Sequence, residues 1–322
     1  MDKNKGKYAL PCFIICAVLL FMPGAASAAD RDIVVLGTAT PGGGFPVYGA
    51  AFAEAVNHSD TTLMIEPRNT KGSTENVPLL EAGKLDIALV QGEVAYALFN
   101  RGGKPAGLRI IAAMYSSPGM FAVKASSPFY NISDLSGYPV IFGAKGSGLI
   151  ILSRYVLEGI GLDQDRDFRA IYLDRVGDAQ KMIEDGRAVA IWGGGVGWPG
   201  FEAVTRSAEG ARFIAPAGDE ISRIITKFNF LRRMTIPANS YPGQTAPIAS
   251  VGSWSFVLAR PNFPDDVAYR IARALHRSEA VIGQRLPQAR ETTMANTLSA
   301  SPSRDLIHPG VLTYLRETGM VR

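Results

Sequence analysis

One pattern occurs twice in this chain and restricts its fold more than any other feature: strand, glycine-rich loop, helix, strand, helix, strand. In the first copy DIVVL (Asp32 to Leu36) reads as a strand and leads into the loop GTATPGGG. A helix over about Val47 to Asn57 comes next, then the strand LMIEP (Leu63 to Pro67). A helix over about Glu75 to Ala82 follows, with Gly83 where a helix-terminating glycine belongs, and then the strand KLDIALVQ (Lys84 to Gln91). LRIIAAMY (Leu108 to Tyr115) is a further apolar strand. The second copy runs through YPVIFG (Tyr138 to Gly143), the loop GAKGSG, a helix over about Leu149 to Ile160 and FRAIYLD (Phe168 to Asp174). The helix VGDAQKMIEDG and the strand RAVAIWGGG, which ends in a third glycine cluster, complete it.

Alternation of this kind predicts parallel βαβ units, and in open α/β sheets ligands sit beyond the carboxyl ends of the strands. The predicted architecture is α/β with two lobes. Lobe 1 covers 30–118 plus 250–322 and lobe 2 covers 119–249, since the strand SWSFVLA and the helix PDDVAYRIARALHR return to lobe 1. Two chain crossings between lobes make a hinge and a cleft.

The first residues stand apart. Lys3, Lys5 and Lys7 precede an apolar run from about Ala9 to Met22, and Ala26-Ser27-Ala28 fits a small-residue cleavage pattern. Residues 1–28 are therefore expected to be a secretory signal peptide, and the run is shorter than the ~20 residues of a spanning helix. Both cysteines, Cys12 and Cys16, lie inside it, so the remaining chain holds neither a disulfide nor a thiolate metal ligand. Without Lys3, Lys5, Lys7 and Asp2 the formal charge of +4 becomes +2, which is no nucleic-acid footprint. The expected location is periplasmic.

The glycine loops do not have nucleotide-binding spacing. Neither GTATPGGG nor GAKGSG fits G-x-x-x-x-G-K-[ST] or G-x-G-x-x-G. What they offer is backbone N–H groups at helix N-termini, where the peptide dipoles favour an anion. Ser73, Thr74 and Ser147 add hydroxyls at such positions, and Gln91 ends a buried strand at its carboxyl end. Arg68 and Lys145 lie on rim loops. Among the aromatics Phe45, Tyr48, Trp192, Trp198, Tyr241 and Trp254, Phe45 and Trp192 suit pocket and core equally. His58, His276 and His308 all lie off the glycine rims and read as surface or structural residues; no G-x-S-x-G is present. No catalytic residue, metal site or cofactor is predicted.

In sequence order, GTATPGGGFPVYG, KGSTENVPLLEAGKLDIALVQGEVAY, DLSGYPVIFGAKGSG, IPANSYPGQ and HPGVLTYLRETG resemble the TAXI group of TRAP-transporter solute-binding proteins. The resemblance runs from about Ile33 to the C-terminus. It implies a type II periplasmic-binding-protein fold, two α/β lobes joined by a hinge with a ligand cleft between them. It also implies a receptor, not an enzyme, that captures a small anionic solute (a carboxylate or amino acid) and passes it to membrane permease subunits. The same cleft would serve a sensory module that signals to a membrane histidine kinase. Matching positions for the ligand are Gly43, Gly44 and Phe45 in the first loop, then Gly72, Ser73 and Gln91. In the far lobe they are Gly146, Ser147, Gly148 and Gly194, and Tyr241 matches the tyrosine of the family's Tyr-Pro-Gly segment. Trp192 joins this set from its place at a strand end. The receptor is expected to be a monomer. Gly44-Phe45 before Pro46, the run RNTKGS, Lys145 and QGE depart from the family's usual residues, and all four lie on the predicted rim.

Overall fold

The computed structural model describes residues 31–100 and 107–322, so the expected leader lies outside the described residues. Strand β1 (Asp32–Gly37) pairs in parallel with β2 (Leu63–Arg68) and β3 (Ile87–Val90). The helices α1 (Gly44–Ser59), α2 (Ser73–Glu81) and α3 (Gly92–Phe99) each follow one of these strands in turn. On α1 the buried residues Tyr48, Phe52 and Val56 recur every four positions, so one face meets the sheet and the other meets water. Helix α3 is not announced by periodicity, because GEVAYALF is apolar on nearly every side.

The second lobe repeats the plan. β5 (Pro139–Ala144) pairs in parallel with β6 (Arg169–Leu173) and β7 (Ala190–Gly194). Helices α4 (Gly148–Gly159), α5 (Ala179–Glu184), α6 (Pro199–Thr205) and α7 (Gly218–Lys227) surround them, with the short strands β8 (Ala211–Ile214) and β9 (Arg232–Ile236). The chain ends in α8 (Asp265–Arg285), α9 (Met294–Ala300) and α10 (Pro309–Glu317), and α8 packs on α1.

Two long strands run through both lobes. β4 (Arg109–Lys124) pairs antiparallel with β10 (Ile248–Ala259) over its first part and with β7 and β8 over its second. β10 in turn leaves β3 to meet β9. In sequence the apolar run of the first of these strands ends at Tyr115. In the structure Ser117 and Pro118 face Ser253 and Gly252 and the strand continues. Close main-chain approach explains the glycine there: a Cβ on Gly252 would sit 2.2 Å from the Ser117 carbonyl oxygen.

Separate cores stabilise the two halves. Val34, Leu36, Tyr48, Phe52, Ile111 and Leu275 belong to a core between the first sheet and α1 and α8, with a smaller cluster around Leu80, Val90 and Leu98 on the opposite face. Phe121, Phe142, Leu152, Trp192, Phe201 and Ile224 form the core of the second lobe. Among the described residues no helix is long and apolar enough to cross a membrane.

Candidate functional site

Four helices begin at one place. The N-cap residues of α1, α2, α3 and α4 are Gly43, Gly72, Gln91 and Ser147, each on the loop after a parallel strand. The first N–H groups of a helix have no partner inside it. Among the described residues no hydrogen bond engages the N–H of Gly44, Phe45, Ser73 or Gly148. These loops enclose a cavity of about 50 Å³, room for a few waters or a very small solute at ~10–15 Å³ per water.

Of the residues expected at the site, Gly43, Gly44, Phe45, Gly72, Ser73, Gln91, Ser147, Gly148 and Gly194 line this cavity. Both hydroxyls are oriented by the backbone. Ser73 Oγ accepts from the Gln91 N–H at 3.0 Å and Ser147 Oγ accepts from the Leu149 N–H at 3.2 Å. Each hydroxyl proton is then left to donate elsewhere.

Three expected residues sit elsewhere. Gly146 lies beside the cavity, and its carbonyl accepts from the Thr74 hydroxyl at 2.9 Å across the junction of the lobes. Trp192 is fully buried in the second core. Its indole N–H donates to the Leu149 carbonyl at 2.9 Å and its ring meets Phe121 edge-on. Tyr241 is also a core residue: its hydroxyl donates to the Gly195 carbonyl at 2.6 Å and accepts from the Trp198 N–H at 3.3 Å. Tyr241 thereby fixes the loop that carries Trp198, and Trp198 is the tryptophan on the cavity wall.

Tyr115, Ser117, Leu149, Val176 and Lys71 also line the cavity, and none of them is among the residues expected from sequence. Tyr115 lies within an ordinary-looking strand, and nothing in its neighbours marks it. Burial pushes its phenol above the usual range, so it is protonated at any ordinary pH, and it packs edge-on against Tyr48. Asn76 supports the site from behind. Its amide donates to the carbonyls of Thr38 and Leu89, both at 2.8 Å, and so ties the ends of β1 and β3 together.

Charge around the cavity comes almost wholly from the backbone. Arg68 donates to the Lys84 carbonyl at the surface, and Lys145 pairs with Asp174 at 3.3 Å with both side chains largely exposed. Neither lines the cavity, where Lys71 is the single charged residue among the described ones and no carboxylate is present. His308 is remote from it: Nδ1 accepts from the Gly310 N–H at 3.2 Å while Nε2 lies 3.1 Å from the Phe263 carbonyl.

Two solved structures support the same architecture. MatC from Rhodopseudomonas palustris, solved with bound malate, aligns over 88% of this chain and 97% of its own with a TM-score of 0.57 and 12% identity. A protein from Bordetella bronchiseptica RB50 aligns over 91% of this chain and 90% of its own, with a TM-score of 0.52 and 15% identity. The periplasmic aliphatic sulphonate binding protein SsuA from Escherichia coli covers 89% of this chain and 79% of its own, at a TM-score of 0.47 and 17% identity. The fold is the two-lobed α/β fold of type II periplasmic binding proteins. The sequence profile of the NMT1-like family matches residues 36–319, and the chain belongs to that family.

Proposed function

We propose that the protein is an extracytoplasmic solute receptor of the TAXI, TRAP-transporter type. It would capture a small carboxylate by closure of its lobes and pass it to a membrane permease. The observation that carries this reading is the convergence of four helix N-termini and two oriented serine hydroxyls, drawn from both lobes, on one cavity. A carboxylate there would accept from the N–H groups of Gly44, Ser73 and Gly148 and from the hydroxyls of Ser73 and Ser147. Each helix end contributes roughly half a positive charge without a mobile side chain. Contacts to both lobes at once favour the closed arrangement over the open one.

The lining also favours one ligand class over another. An amino acid brings an ammonium that needs a carboxylate partner when desolvated, and none lines the cavity among the described residues. Phe45, Tyr115, Leu149, Val176 and Trp198 instead offer apolar contact to a short hydrocarbon body. A small carboxylate without an ammonium group is the better fit. The family resemblance of the glycine loops supports the permease partner.

A thermal-shift series tests this reading with short monocarboxylates, the matching α-amino acids, and neutral sugars. Ligand that binds only the native state raises the melting temperature. Carboxylates alone should do so. A shift with sugars and none with any anion would overturn the reading. Mass spectrometry of the carboxylate after incubation should recover it unchanged.

A further inference from the structure

Glu93 is an acid in an unusual place. It lies in the first turn of α3, two residues after the cavity residue Gln91, and is 0% exposed. Oε1 accepts from the Ser253 hydroxyl at 2.7 Å and Oε2 has no partner among the described residues. Ser253 belongs to β10 and faces Ser117 of β4, at the point where both strands pass from one lobe to the other.

The second lobe seals this corner. A Cβ on Gly148, at the start of α4, would sit 2.4 Å from Gln91 Cβ, so α4 rests directly on the beginning of α3. Tyr96 of α3 stacks on Phe230 at 4.5 Å, and Phe230 meets Tyr155 of α4 at 5.1 Å. Neither α3 nor β10 carries any other charged residue. On α4, Arg154 pairs with Asp165 and Glu158 with Lys227, while Tyr155 presents a phenol. Arg232 of β9 lines a pocket with Gly92 and Ser253, but its guanidinium donates to the Asn229 and Leu231 carbonyls, and among the described residues no ion pair engages the Glu93 carboxyl. The Gln91 amide lies near enough to favour its charged form, but Nε2 makes no aligned hydrogen bond.

We propose that Glu93 is a protonation latch on lobe closure: neutral when α4 covers it, ionised when the lobes part and water reaches it. This rests on the reading of the protein as a receptor that opens and closes. Burial in the closed form pushes the carboxyl up to about 7, against the ordinary 4.5. Ser253, the backbone N–H of Glu93 and Gln91 oppose that shift and do not cancel it. The closed form therefore holds a proton that the open form releases. Closure is favoured at low pH, and the closed-to-open ratio falls by roughly two to three orders of magnitude as pH rises from about 4.5 to above 7. Above that range further alkalinity has no effect through this group.

The test needs no solute. Spin labels at the exposed positions Glu66→Cys and Asp178→Cys, with Cys12 and Cys16 replaced by serine, report the distance between the lobes. In the parent this distance should lengthen between about pH 4.5 and about pH 7.5, and in Glu93→Gln, always neutral, it should not change. Carbon-13 labelling of the glutamate carboxyls follows the group directly in the unsubstituted protein. A Glu93 midpoint well above 4.5, in the pH range where the distance lengthens, supports the latch. A midpoint near 4.5, a parent distance that ignores pH, or the same pH response in Glu93→Gln would each overturn it. Because no solute enters, failure here leaves the solute reading standing, and failure of the thermal-shift series leaves this result standing.

Discussion

The hydroxyl of Thr74, in the first lobe, donates to the carbonyl of Gly146, in the second, at 2.9 Å. The Thr74 N–H points at the same oxygen at 3.4 Å. This pair holds the helix α2 entrance against the loop before α4, on the rim of the cavity. Thr74→Val keeps the shape and removes the hydroxyl bond. A net hydrogen bond contributes about 1 kcal/mol, so the dissociation constant of the best carboxylate should rise roughly fivefold. Isothermal titration calorimetry measures this, with melting temperature as the control for folding.

Gly148→Ala should act more severely. The added methyl would meet Gln91 Cβ at 2.4 Å and the Ser73 hydroxyl at 3.0 Å, both on the opposite lobe. Each lobe keeps its own core, so far-UV circular dichroism should be unchanged. The radius of gyration in solution scattering should increase, and carboxylate binding should be lost. A variant as compact as the parent that still binds would show that the two lobes tolerate a wider gap.

Trp198 is the tryptophan that should report binding. Trp192 is sealed in the core and Trp254 lies away from the cavity wall. Intrinsic fluorescence should change on carboxylate addition, and Trp198→Phe should abolish the change. Tyr241→Phe leaves the Gly195 carbonyl without its donor and the Trp198 N–H without its acceptor. It should cost about 1–3 kcal/mol of stability and shift the Trp198 emission.

Acid should destabilise the protein through His308. Burial holds its imidazole below the ordinary range, with Asp265 opposing the shift from 3.6 Å. The unfolded chain binds a proton first, near 6.5, so stability is full above that pH and is lost as pH falls toward the folded value. Protonation also removes the Nδ1 acceptor that caps Gly310. His308→Asn keeps a capping side chain and should flatten the melting-temperature slope below about pH 6.5. Glu93 acts in the opposite sense, losing stability as pH rises from 4.5 to about 7, so the two variants separate the limbs of the pH profile.

Most helices and strands were legible because their signals are local. Alternating apolar runs, glycines beyond helix ends and hydroxyls before helix starts all act within one or two turns. The boundaries of α1 and β4 were less so. Gly44 to Pro46 looks like loop but forms the first turn of α1, where proline has no N–H bond to lose. Ser116 to Gly119 looks like a turn but continues β4, because β10 pairs with one side of it and β7 with the other.

Local sequence signals specify parallel βαβ units, with helix N-termini rich in glycine and serine at their strand ends. Which of those residues meet depends on contacts between segments far apart in the chain. Trp198 rather than Trp192 faces the cavity because Gly119 and Phe121 accept the Trp192 ring from a strand distant in sequence. Lys145 is engaged at the surface by Asp174, 29 residues away, and leaves the cavity to backbone dipoles. Glu93 is an ordinary helix-start acid until α4 and β10 close over it. Burial is set by neighbours far along the chain, and it decides both the polarity of the cavity and the protonation of the acid behind it.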